Sequence, residues 1–202
     1  MTYRSEMDAG LLPDVGFSTK APIWWGQFGM MVIEGTIILI MIAGFFYTRM
    51  GFDVWPPPRI PVPNITVPTI VTVLLLVSCI PMRLSEKAAV AGNISRAAMF
   101  LGIGCIFALV ILVLRWYELV ALPFKWTTDI FGTYAWCLIG LHTLHMVADT
   151  LESIVIFIIL KVAPVGGKQQ TGVEVDGLYW YFVVLIWLPI YATVYLYSAA
   201  SK

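Results

Sequence analysis

The stretch IFGTYAWCLIGLHTLHMVADTLESIVIFIILKV, residues 130–162, decides the fold class because it is mostly apolar and contains no proline. As an α-helix rising 1.5 Å per residue it would be about 50 Å long, whereas the hydrocarbon core of a bilayer is about 30 Å thick. The stretch therefore predicts a membrane-spanning helix that tilts or projects beyond the bilayer.

The rest of the chain has the same apolar character. Hydrophobic residues make up 60% of its 202 residues and charged residues only 12%, about half of the roughly 25% found in an average globular protein. Mean hydropathy is +0.88. We predict an all-α polytopic membrane protein in which a polar N-terminal arm, residues 1–22, precedes a single five-helix transmembrane domain, residues 23–202. The predicted spans are residues 23–47, 66–82, 97–120, 130–162 and 178–197.

Prolines and polar stretches set the predicted span boundaries. The run PPP at 56–58 cannot continue a helix and predicts an extended loop. Pro81 is expected to help end the second span, so MRLSEKAAVAGNISR, residues 82–96, is interpreted as a polar turn. PVGGKQQTGVEVDG, residues 164–177, is interpreted as the last loop. An odd number of spans places the termini on opposite sides of the membrane.

The distribution of Lys and Arg gives the predicted orientation. More of these residues fall in the N-terminal arm and in the loops after the second and fourth spans than on the opposite side. By the positive-inside rule the N-terminus is then cytoplasmic and the C-terminus external.

Several functional classes are disfavoured by the sequence. The net charge is zero, so no basic surface indicates binding to nucleic acid. No P-loop, dinucleotide-binding glycine turn, HExxH or nucleophile elbow is present, which disfavours a self-sufficient enzyme. The three cysteines lie inside apolar segments without metal-ligand spacing, and we expect them to be small buried hydrophobes.

Polar residues inside the fourth span are the candidate site. His142, His145, Asp149 and Glu152 fall within an arc of about 80° on a helix of 100° per residue. Charged groups facing lipid are costly, so we predict that the stripe faces a protein partner or a hydrated seam. Its role is open between metal or haem ligation, proton handling, and an interhelical polar network; the last is favoured. Glu34, the acid inside the first span, is predicted to pair with His142 or His145.

Arg115 and Glu118 stand at the end of the third span, three residues apart. We interpret them as an interfacial pair whose long side chains reach toward the polar headgroups.

Five stretches, in this order, resemble subunit III of the haem-copper terminal oxidases, in its short five-helix bacterial form. The first is the initial span, which holds Glu34 and ends in GFFYTR, residues 44–49. The others are WPPP (55–58), GNISRAAMFLGIGCIFALVILVLRWYE (92–118), TTDIFGTYAWCLIGLHTLHM (127–146) and LYWYFVVLIWLPIYATVYL (178–196). Departures from the family pattern are Asp149 and Glu152, where Gly and an apolar residue are typical, Arg115 in place of Gln, and Tyr181 and Val184 in place of His and Asp.

The resemblance implies a non-catalytic subunit of a cytochrome c oxidase type complex in the bacterial cytoplasmic membrane. Haem and copper would lie in partner subunits, and this chain would pack beside oxidase subunits I and II, with further respiratory subunits possible. It would bind phospholipid between its helices and support proton uptake while the complex reduces oxygen to water and pumps protons. Three rivals remain: an accessory subunit of a nitric oxide reductase, a stand-alone proton-coupled carrier, and a metal-dependent membrane enzyme.

Overall fold

The computed structural model of the chain describes residues 21–58, 60–162 and 167–200. Within these residues the regular structure is entirely helical, and five helices are long and apolar enough to cross a membrane. They are α1 (Pro22–Arg49), α2 (Thr66–Val90), α3 (Ile94–Val120), α4 (Ile130–Val162) and α5 (Gly167–Tyr191). A π-helical turn, Ala192–Tyr197, and a last helical turn, Ser198–Ala200, extend α5. The predicted all-α polytopic fold is confirmed; most of the predicted N-terminal arm, residues 1–20, lies outside the described residues.

Helix α2 continues past residue 82, the predicted end of the second span, to Val90, so the interpretation of residues 82–96 as a polar turn is wrong for most of that stretch. Pro81 lies inside the helix and is buried. One proline removes a single backbone donor, and packing against α3 outweighs that loss. Ser85, beyond the proline, is fully buried and donates a hydrogen bond from Oγ to the carbonyl oxygen of Ala97 at 2.9 Å.

The connection between α2 and α3 is consequently a tight turn and not a fifteen-residue polar loop. Gly92 adopts a φ of 73°, a conformation that glycine enters without steric cost. Asn93 then caps α3, its side chain accepting a hydrogen bond from the backbone N–H of Arg96 at 3.1 Å. Because of this turn, α3 begins at Ile94 and not at residue 97.

Helix α5 also begins before residue 178, the predicted start of the fifth span. Residues 164–166 of the loop predicted at 164–177 lie outside the described residues, but from Gly167 onward the chain is helical. Val173 and Asp176 are fully buried within this part of α5. The polar residues of this segment indicated a loop, whereas in the structure they are helical and several of them are buried or partly buried.

The bundle has a packed core and one loosely covered helix. Helices α2, α3, α4 and α5 pack on one another, and α1 lies against α5 and α4. Of the residues of α1, only Gly35, Ile38 and Phe45 are buried, while Ile33 and Ile40 are each 65% exposed. Much of the apolar surface of α1 is therefore not covered by the other described residues.

The crossing pattern gives the bundle two distinct ends. We call the end that holds Pro22, Val90, Ile94, Val162 and Gly167 the N-side, and the opposite end the C-side. At the C-side, the ring centroids of Phe45, Trp55 and Phe131 lie within 6.0 Å of one another. This aromatic cluster holds the proline-containing loop against the ends of α1 and α4.

Candidate functional site

The polar stripe of α4 straddles the edge of the buried face of the helix. His142 and Asp149 are fully buried, His145 is partly buried, and Glu152 is exposed on the surface of the chain. The structure thus places two members of the stripe inside the bundle and one on its outer surface. What Glu152 faces in a membrane or an assembly stays a prediction.

A contact between α1, α4 and α5 joins Glu34, His145 and Tyr179. The Tyr179 hydroxyl donates a hydrogen bond to Glu34 Oε2 at 2.8 Å, and His145 Nε2 lies 3.6 Å from the same oxygen. Of the two histidines predicted as partners of Glu34, the structure selects His145. Its Nδ1 lies 2.8 Å from the carbonyl oxygen of Leu141, which only accepts, so Nδ1 carries a hydrogen. A second proton, on Nε2, would make the contact with Glu34 an ion pair.

His142 points in a different direction. Its Nε2 lies 3.0 Å from the carbonyl oxygen of Val183 on α5 and so donates to it. Its ring packs on the indole of Trp187, with 4.9 Å between ring centroids. Among the described residues, no three His, Cys, Asp or Glu side chains converge as metal ligands would. The two histidines therefore act in separate contacts between helices.

Arg115 and Glu118 form a pair as predicted, but the predicted exposure at the interface is wrong. Arg115 is 0% exposed and Glu118 4%. Arg115 Nη1 donates to both carboxylate oxygens, at 2.9 and 2.8 Å, and its guanidinium lies 3.8 Å from the centre of the Trp187 ring. The hydroxyl of Tyr195 donates to Glu118. The pair continues the helical spacing of Ala108 and Ile111, which are buried on the same face of α3.

Asp176 is a site residue that the sequence prediction missed. It is fully buried on α5 and its Oδ1 accepts a hydrogen bond from Ser153 Oγ at 2.8 Å. The interpretation of residues 164–177 as a loop hides the helical spacing that places Asp176 one turn before Tyr179. With a helix over this segment, Asp176, Tyr179 and Val183 share the face turned toward α4.

The comparison with known families decides what kind of bundle this is. The sequence model of the family described as cytochrome c oxidase subunit III matches residues 14–199, nearly the whole chain. The chain belongs to the cytochrome c oxidase subunit III family.

Similar proteins named cytochrome c oxidase subunit 3 come from distant organisms. That of Anopheles gambiae is 25% identical over 185 residues, covering 89% of this chain and 71% of the relative. That of Synechocystis sp. is 25% identical over 169 residues, covering 82% and 72%. That of Spodoptera frugiperda is 28% identical over 142 residues, covering 70% and 97%. Membership in the subunit III family, together with five apolar helices, makes this chain a multi-pass membrane protein of an oxidase complex.

Two apolar grooves flank α5 in this subunit III family member. One, of about 450 Å³, lies between α2 and α5 and is lined by Cys79, Ile80, Arg83, Leu84 and Tyr181. The other, of about 350 Å³, lies between α1 and α5, and Tyr181 also lines it. The side chain of Arg83 is 64% exposed and pairs with Glu86 at 2.7 Å. The first groove thus combines apolar walls with a cation.

Proposed function

We propose that this chain is the non-catalytic subunit III of a bacterial haem-copper respiratory oxidase that reduces oxygen to water and pumps protons. Haem and copper would be held by the partner subunits I and II. The observation that carries this proposal is the family match, which extends over all five helices. The relatives carry the name of the same subunit and are aligned over most of this chain.

The decisive experiment is purification of the tagged chain from native membranes in mild detergent. We expect haem-bearing subunits to accompany it, detected by their visible spectrum, and the complex to consume oxygen. A haem-containing complex that reduces nitric oxide and does not consume oxygen would favour the reductase rival. A chain that purifies alone and moves protons across liposomes would overturn the proposal in favour of a carrier.

The proposal includes support of proton uptake. Asp149, Glu152 and Asp176 lie in the N-side halves of their helices, and Glu34 lies near the middle of α1 on the same side. Since we propose a cytoplasmic N-side, these acids would lie between the cytoplasm and the middle of the membrane. The prediction is that Glu34→Gln leaves the initial rate of oxygen reduction near that of the wild type and shortens the time over which turnover is sustained. Equal persistence in both proteins would argue against this role.

Orientation is a separate part of the proposal. A reporter fused after the last helix distinguishes the two sides: alkaline phosphatase is active when exported, and green fluorescent protein fluoresces when cytoplasmic. We expect an active phosphatase and a dark fluorescent fusion at the C-terminus. The reverse pattern would place the N-side outside the cytoplasm.

Phospholipid binding is supported by the grooves beside α5. Acyl chains fit apolar grooves that open laterally, and the exposed Arg83 offers a cation for a headgroup phosphate. Arg83→Gln should reduce the amount of anionic phospholipid retained by the delipidated complex, as measured by mass spectrometry. Lys161→Gln on α4 is the control, since Lys161 does not line these grooves, and it should retain wild-type lipid.

A further inference from the structure

Two aspartates of adjacent helices are buried together without a counter-charge. Asp149 on α4 and Asp176 on α5 are both 0% exposed. Ser153 donates to Asp176 Oδ1 at 2.8 Å. Among the described residues, both oxygens of Asp149 lack a hydrogen-bond partner, and so does Oδ2 of Asp176. Three carboxyl oxygens are thus buried with no donor.

The surroundings of the pair are acidic. Titratable side chains from all five helices lie near the two carboxyls. These neighbours are Glu34 on α1, Glu86 on α2, Cys105 on α3, Glu152 on α4 and Tyr179 on α5. The imidazole of His145 stands one turn before Asp149 on the same face of α4, but its Nε2 lies 3.6 Å from Glu34 Oε2 and faces that carboxylate.

Two carboxylates in this setting cannot both remain ionised. Burial of an isolated charge costs many kcal/mol, and two like charges close together each disfavour the other's ionisation. A calcium ion takes about 6–8 oxygen ligands, whereas no three His, Cys, Asp or Glu side chains converge on one point within the described residues. A proton needs only one oxygen, and paired carboxyls that share one proton are an established arrangement in aspartic proteases.

We propose that Asp149 and Asp176 form a proton-binding carboxyl pair, which exchanges its proton with the N-side through Glu152. The pair holds one proton and one negative charge. Glu152 is the exposed acid that acts on both aspartates. In each exchange one O–H bond breaks on the donor carboxyl and one forms on the acceptor carboxylate, so no other reactant is needed. The pair is a property of this chain alone, whereas its use in proton uptake rests on the proposed function.

The test is infrared spectroscopy of the tagged chain as purified from native membranes, with whatever subunits accompany it. A protonated carboxylic acid gives a C=O stretching band that shifts in D₂O. We expect such a band in the wild type at neutral pH, its loss in the double variant Asp149→Asn/Asp176→Asn, and its retention in Asp53→Asn. Asp53 is the control because it is an exposed aspartate in the loop after α1.

The single variants test whether the two carboxyls are coupled. In Asp149→Asn or Asp176→Asn the surviving carboxyl should bind its proton roughly tenfold more weakly, because its like-charged neighbour is gone. Ser153→Ala keeps both acids and should shift the band by removing the donor to Asp176. A wild type without the band, a double variant that retains it, or single variants that titrate unchanged would each overturn the proposal.

Exchange through Glu152 has its own measurement. In Glu152→Gln the rate at which the band responds to D₂O should fall at least roughly tenfold, since a positioned acid or base accelerates proton transfer by more than this. An unchanged rate would overturn the route. All these spectra are recorded whether or not haem subunits co-purify, so failure of the oxidase proposal and failure of the carboxyl pair give different results.

Discussion

Replacing Glu118 by Gln tests whether the ion pair of α3 is buried as the structure has it. The substitution keeps the size of the side chain and one acceptor oxygen but removes the charge that compensates Arg115. Arg115 is 0% exposed and two of its nitrogens, Nε and Nη2, already have no hydrogen-bond partner among the described residues. Glu118→Gln therefore leaves the buried guanidinium of Arg115 without a counter-charge and with few hydrogen-bond acceptors.

The expected loss of stability follows from three contacts that converge on the Glu118 carboxylate. Two come from Arg115 Nη1 and one from the hydroxyl of Tyr195. Water does not screen a pair with side-chain exposures of 0% and 3%, so breaking it by removing one partner should cost about 3–5 kcal/mol. A pair at the membrane interface, exposed to water, would instead contribute about 0–1 kcal/mol.

The assay is steric trapping of this chain within the purified complex, which reports its free energy of unfolding. Arg115→Gln/Glu118→Gln should be more stable than Glu118→Gln alone, because it removes the orphaned charge together with its partner. Asp53→Asn, at an exposed loop position, serves as the control and should change the free energy by less than about 0.5 kcal/mol. A loss below about 1 kcal/mol in Glu118→Gln, or additive effects of the two substitutions, would refute the buried pair.

Two further substitutions test the packing of α4 and α5, and each has a matched control. In Gly132→Ala the added Cβ would lie 2.7 Å from a backbone carbonyl oxygen of the loop before α4, so we expect a loss of about 1–3 kcal/mol in unfolding free energy. The control is Gly140→Ala, whose added Cβ meets nothing within 4 Å and which should be neutral or stabilising. Equal effects of the two substitutions would contradict the close approach at Gly132. Tyr179→Phe removes the 2.8 Å donor to Glu34 and should cost about 1 kcal/mol because Glu34 is only partly buried, whereas Tyr117→Phe at an exposed position should cost nothing measurable in the same assay.

The apolar cores of the spans are predictable from sequence, but their polar ends are not. The fourth span agrees with α4 in both boundaries, and the first differs from α1 by one or two residues, because apolar residues or prolines mark those ends. Helices α2 and α5 extend beyond the predicted second and fifth spans into polar sequence. Their extra turns are stabilised by contacts such as Ser85 with Ala97 and Ser153 with Asp176, which join residues far apart in the chain.

The candidate site was also predicted only in part, because it too depends on contacts between residues far apart in the chain. A mid-membrane acid needs a partner, and only two histidines are available, so the pairing of Glu34 with a histidine could be inferred. The choice of His145 depends on where α1 lies against α4, which no local pattern reveals. The prediction places Arg115 at the interface because it stands near the end of a span. Apolar residues such as Val110 and Val113 also occupy the exposed face of α3, so the sequence does not show which face is buried.

Asp149 and Glu152 have separate environments, and that separation argues for a graded path and not a single site. Asp149 is enclosed between helices and has no donor in the part of the chain that the structure describes, whereas Glu152, less than one turn further along α4, is exposed. An acid that only oriented helices would be expected to have a hydrogen-bond donor, as Asp176 has in Ser153. A buried acid without one is stable only when protonated, and an exposed acid beside it gives that proton a route. The extension of the two-histidine pattern by Asp149 and Glu152 is therefore better explained by proton exchange than by packing alone.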